Sequence, residues 1–122
     1  MEGEIDGKNH SGGGKVKLDN IFSKIPYFMM DEISETLLKT KHFKLERVIS
    51  AGQSTPEGEW YDQDTNEWVI VLSGSAGLLF EGEREAFLMY PGDYIHIQSH
   101  QRHRVEWTDP KQKTVWLALH YE

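Results

Sequence analysis

The stretch Pro91-Gly92-Asp93-Tyr94-Ile95-His96-Ile97-Gln98-Ser99-His100-Gln101-Arg102-His103-Arg104-Val105 decides how this chain is read. It opens on a Pro-Gly-Asp turn, runs through a short β-forming segment, and then places two histidines and two arginines between positions 100 and 104. Such a density of metal-ligand and anion-binding side chains marks the region of a site.

Working outward, the same rhythm of short strands and turns continues. Phe43 to Ser50 alternates, and Glu67 to Ser73 is separated from Ala76 to Glu81 by Ser73-Gly74-Ser75. Glu85 to Tyr90 ends at Pro91-Gly92-Asp93, and further strands cover Tyr94 to Ile97, His103 to Thr108 and Thr114 to Tyr121. Short strands with turns at this spacing predict an all-β sandwich or barrel. Apolar side chains on both parities of Trp68-Val69-Ile70-Val71-Leu72 predict a strand buried on both sides or lying at a subunit interface. Upstream, residues 1–17 hold Gly3, Gly7 and Gly12-Gly13-Gly14 among polar residues and read as a disordered tail. Residues 18–42 read as a helical lead-in, with Asp31 as cap, Ile33, Leu37 and Leu38 at helical spacing, and Pro26 as a break. The barrel then occupies residues 43–122.

A length of 122 residues fits one domain. A net charge of −7 argues against nucleic acid as a partner, because a phosphate polymer is repelled by the overall field. The chain has no cysteine, so any metal would rest on N and O donors. With no long apolar run and no apolar signal segment at the N-terminus, the expectation is a cytoplasmic protein without a membrane partner.

From Phe43 to the C-terminus the sequence resembles a small single-domain cupin, a double-stranded β-helix jelly-roll barrel. The second cupin motif reads G-x5-P-x-G-x2-H-x3-N. Gly92 and His103 match it at full spacing, while Gln98, His100 and Trp107 replace the proline, second glycine and asparagine. The first motif reads G-x5-H-x-H-x3 or x4-E-x6-G. Glu67 and Gly74 keep its last spacing, and its two histidines are replaced by Tyr61 and Gln63 or by Trp60 and Asp62, according to the spacing used. The resemblance implies a divalent metal (zinc, iron, manganese, nickel or copper) inside the barrel, and a homodimer. On this pattern the metal candidates are Glu67, His103, His100, Gln63 and Asp62.

His103 is a metal ligand or proton carrier, or else a histidine satisfied by a neighbour. Glu67 is a carboxylate in an apolar lumen if Val69 and Val71 share its inward face, or else a solvated side chain. Gln63 and Asp62 are weak and strong oxygen donors, or part of a polar loop, and His100 is a substitute ligand at the barrel mouth or an exposed loop residue. His96 and His120 line a pocket or pair at the surface. Strand parity places Trp107 on the face of His103, and Tyr61 is the other aromatic beside the substrate. Arg102 and Arg104 take the opposite parity and form salt bridges outside the barrel. Two functions follow: a barrel binding a divalent metal and a small polar molecule, with metal-dependent catalysis, or a metal-free module that binds or senses a small molecule without turning it over. A structural dimer without ligand is the third.

Overall fold

The computed structural model describes residues 16–122. The tail expected over residues 1–17 lies almost wholly outside the described residues. Eight strands follow in chain order: β1 (Ile33–Lys39), β2 (Phe43–Ser50), β3 (Asn66–Ser73), β4 (Ala76–Phe80), β5 (Phe87–Met89), β6 (Tyr94–Ile97), β7 (His103–Thr108) and β8 (Thr114–Tyr121). They form a five-stranded sheet in the order β1-β2-β8-β3-β6 and a three-stranded sheet in the order β5-β4-β7. All pairings are antiparallel.

Alternation explains which side chains meet between the sheets. Val69 and Val71 of β3, Ala76, Leu78 and Phe80 of β4, Ile97 of β6, and Trp116 and Ala118 of β8 are buried in one cluster with Met89. Glu67 shares the inward parity of Val69. Trp68 and Ile70 take the outer face, where Trp68 lies 5.2 Å from the ring of Tyr94 and both stay half-buried.

The helical lead-in is corrected. There is no helix among the described residues; Ile33, Leu37 and Leu38 belong to β1, paired along its length with β2. The register slips between Thr36 and Leu38, so Ile33, Glu35 and Leu38 oppose Ile49, Arg47 and Leu45 with Leu37 as the extra residue. A bulge converts the strand period of two into steps of two and three, and the resulting apolar spacing imitates a helix. Residues 21–24 form only a turn. It is tied down by Arg47, 5% exposed, whose Nη1 donates to the carbonyls of Ile21 and Ser23 at 2.8 and 2.7 Å while its Nε donates to Glu35 at 2.6 Å.

A second bulge redirects Trp107. In the β4–β7 ladder Gly77 opposes Trp107, yet Leu78 opposes Val105, leaving Glu106 as the extra residue. Val105 and His103 therefore face inward, and Trp107 turns to the outer face, over Gly77. A Cβ added to Gly77 would collide with the Trp107 indole at Nε1. Parity counted without the bulge placed Trp107 beside His103, and the extra residue is what reverses it.

Candidate functional site

Between the sheets lies a cavity of about 160 Å³, room for roughly five water molecules at ~30 Å³ each. Its walls combine apolar groups (Val48, Val69, Leu78, Ile97, Val105, Trp116 and Ala118) with Glu32, Ser34, Glu46, Tyr61, Gln63, Glu67, His103 and His120. Of the residues singled out in the sequence, Glu67, His103, Gln63, Tyr61 and His120 are brought together here. His100, Asp62, His96 and Trp107 are not.

His103 is 4% exposed. Its Nδ1 lies 2.8 Å from the carbonyl of Gln101. A carbonyl only accepts, so Nδ1 carries a proton and Nε2 is turned toward the lumen. Nε2 stands 3.7 Å from Glu67 Oε1, too far for a hydrogen bond and close enough for charge interaction. Glu67 sits directly across the β3–β8 ladder from His120, whose Nε2 is 3.1 Å from Glu46 Oε1. Burial pushes the Glu67 carboxyl above the usual carboxylate range; the imidazoles of His120 and His103 oppose this and Glu46 reinforces it. A carboxyl and an imidazole nitrogen that face each other in a largely apolar lumen are suited to exchanging a proton with a bound molecule.

Tyr61 reaches the cavity because its backbone extends the small sheet. Its N–H donates to His103 O at 2.7 Å, and His103 N–H donates back to Tyr61 O at 3.2 Å. Two residues on, Gln63 points the same way, as strand parity requires. Tyr61 and Gln63, not Trp60 and Asp62, thus occupy the inward positions of the first motif. Tyr61 is 42% exposed; partial burial of its ring, helped by the charges of Glu32 and Glu67, raises the phenol, so it faces a ligand as an O–H donor and not as phenolate.

The intervening Asp62 turns outward to His100, Oδ1 to Nδ1 at 2.7 Å, and Asp64 Oδ1 lies 3.4 Å from His100 Nε2. His100 stands where the motif has glycine and keeps the backbone that glycine favours, with φ +62°. Its N–H donates to Gln63 O at 2.7 Å, so it joins the loop after β6 to the loop before β3 at the rim. Its hydrogen bond to Asp62 raises its pKa, with further help from the charges of Asp62 and Asp64. A raised histidine pKa means that the contact is fully present below about pH 6.5 and is lost as pH rises through the folded value. Hydrogen exchange at residues 62–65, corrected for intrinsic rate, is expected to accelerate over that window, and His100→Gly to abolish the pH dependence. Unchanged pH dependence in His100→Gly would show that the contact does not hold the rim.

His96 and Trp107 lie on outer faces. His96 is exposed and contacts the hydroxyl of Tyr121, with the two rings stacked at 5.9 Å. Arg102 and Arg104 pair outside the barrel with Glu81 and Glu106. Glu46, Glu32 and Ser34 escaped the sequence reading. Glu46 had a signal, a carboxylate at the parity of Val48 in a buried strand; Glu32 and Ser34 had none, because their segment read as helix.

This pair of antiparallel sheets enclosing a Glu-His lumen defines a cupin. Residues 46–120 match the family described as the cupin domain, and the chain belongs to it. No curated protein matches the chain. A solved protein of Ralstonia eutropha JMP134 with the provisional name mannose-6-phosphate isomerase is similar at 48% identity and a TM-score of 0.85, over 88% of this chain and 99% of its own. A cupin superfamily protein of Desulfitobacterium hafniense DCB-2 shares the fold at 15% identity and a TM-score of 0.65, over 80% and 83%. The Fe(II) form of HppE shares it at 16% and 0.63, over 74% of this chain and 50% of its own.

The donor set here fits a resident transition metal poorly. Among the described residues no group of three His, Asp or Glu side chains is arranged to hold an ion. The first-motif positions supply a protonated phenol and an amide, which are weak ligands, and His120 is engaged by Glu46. Glu67 and His103 are the two strong donors left together.

Proposed function

We propose that this cupin binds a small polar molecule in its lumen and exchanges protons with it through Glu67 and His103, without a resident transition metal. The observation that carries the reading is the orientation of His103, with Nδ1 satisfied by a backbone carbonyl and Nε2 aimed at a mostly buried carboxyl in a largely apolar cavity. Burying that pair is costly, and a ligand's polar groups would offset the cost. Among the described residues three carboxyl side chains (Glu32, Glu46 and Glu67) and no lysine or arginine line the cavity, so the part of the ligand that enters is uncharged or cationic. Tyr61 O–H and the Gln63 amide would orient it. The provisional name of the Ralstonia relative fits this chain only if a sugar's hydroxyl end enters and its phosphate stays outside. A second copy of the chain is the proposed protein partner, against the outer face bearing Trp68, Ile70, Leu117 and Leu119; light scattering in solution checks it.

Protein purified without chelator or added metal is expected to carry well under one metal ion per chain and to melt at the same temperature with or without EDTA. A thermal-shift screen of uncharged and cationic polyols, sugars and amines is expected to yield stabilising ligands whose effect disappears in His103→Ala. Stoichiometric zinc, iron, manganese, nickel or copper that is lost with His103→Ala would replace this reading with a metal site.

A further inference from the structure

The hairpin joining β1 and β2 carries Lys39-Thr40-Lys41-His42-Phe43-Lys44, an unusual concentration of positive charge in a chain of net charge −7. Its shape is well held: Thr40 N–H donates to Phe43 O at 2.9 Å, and Thr40 Oγ1 accepts from the N–H groups of His42 and Phe43 at 3.1 and 3.2 Å. In the β1–β2 register Lys39 stands directly opposite Lys44, on the same side of the sheet as the lumenal Glu46 and Val48. Like charges placed opposite each other on one face are destabilising. Lys44 finds partial relief in Glu46, 3.1 Å away, and His42 lies 4.0 Å from Glu122.

These lysines line a second cavity, of about 460 Å³, and that cavity shares Glu46, Gln63 and His120 with the lumen. The two spaces therefore meet at a common wall. The inner one is acidic and small; the outer one is wider and bears three lysines and two histidines against Glu46 and Glu122.

We propose that this outer vestibule is an anion subsite, and that the ligand is a small phosphate monoester whose uncharged end enters the lumen while its phosphate rests among Lys39, Lys41 and Lys44. Lysine acts as a compact, mobile point charge toward phosphate, and a dianion between Lys39 and Lys44 removes their mutual repulsion. The proposal rests on the lumenal reading above for the position of the ligand's other end, but the anion subsite is measurable by itself.

The probe is inorganic phosphate, titrated into uniformly 15N-labelled protein at constant low ionic strength, with acetate as the comparison. Saturable shifts of the amides of residues 39–44 are expected, with at least a tenfold weaker apparent affinity in the Lys39→Gln, Lys41→Gln double variant. Glu67→Gln, which disables the lumen, is expected to leave the phosphate shifts in place, so that failure of the lumenal reading and failure of the vestibule are told apart. Absence of saturable shifts at the hairpin, or shifts that persist undiminished in the double variant, would overturn the subsite. Equal affinity for acetate would overturn the assignment to phosphate.

Discussion

Gly74→Ala is expected to be the most damaging single-methyl change in this protein. Gly74 makes the turn between β3 and β4 at φ +83°, in the left-handed region. A Cβ there would stand 2.6 Å from Thr114 Cα and 2.7 Å from the carbonyl oxygen of Lys113, and both are backbone atoms that cannot swing away. Left-handed backbone costs an alanine about 1–2 kcal/mol, and overfilling a close-packed site about 1–3 kcal/mol. Together they remove about 2–5 kcal/mol from a fold whose total is about 5–15 kcal/mol. For a domain of this size that lowers the melting temperature by roughly 8–20 °C. Gly58 separates the two causes, because it has φ +82° with nothing within 4 Å of its missing Cβ. Gly58→Ala should lose only the backbone share. Equal melting temperatures for the two variants would mean that the approach of β8 to the turn is not tight.

The contrast between these glycines shows what was legible in the sequence. Gly74 and Gly92 were both recognisable from turn chemistry and motif spacing, and both adopt positive φ. Strand alternation located seven of the eight strands because each inward position carries a side chain that the core requires. It failed where an extra residue shifts the count. The bulge at Leu37 made a strand resemble a helix, and the bulge at Glu106 moved Trp107 to the wrong face. A bulge is defined by the partner strand's register, which local sequence does not contain. The site was legible to the extent that motif spacing carried it: Glu67 and His103 face each other across the lumen. Glu46, Glu32 and Ser34 complete the cavity through strand pairings of long sequence separation, and the Lys39–Lys44 opposition depends on the same bulged register.

Glu67→Gln should raise stability at neutral pH while removing the lumen's proton chemistry. Glu67 is mostly buried, and burial lifts its carboxyl pKa above the unfolded value, even after the favourable charges of His120 and His103 are counted. A group that holds its proton more tightly in the folded state supports the fold below its unfolded pKa, about 4.3 for glutamate. That support is lost as pH rises through the higher folded value. At pH 7 the ionised carboxylate therefore weighs against folding. An amide of the same shape carries no such charge, so its burial costs less than that of the carboxylate. In urea unfolding, the variant is expected to exceed the parent at pH 7 and to lose that advantage near pH 4. A variant less stable than the parent at pH 7 would mean that the two imidazoles stabilise the carboxylate by more than burial costs it. The expected result bears on function because an inward carboxyl that weakens the fold at neutral pH, beside a histidine oriented toward it, has its physical justification in a bound molecule. The same variant should lose any lumenal ligand found by thermal shift.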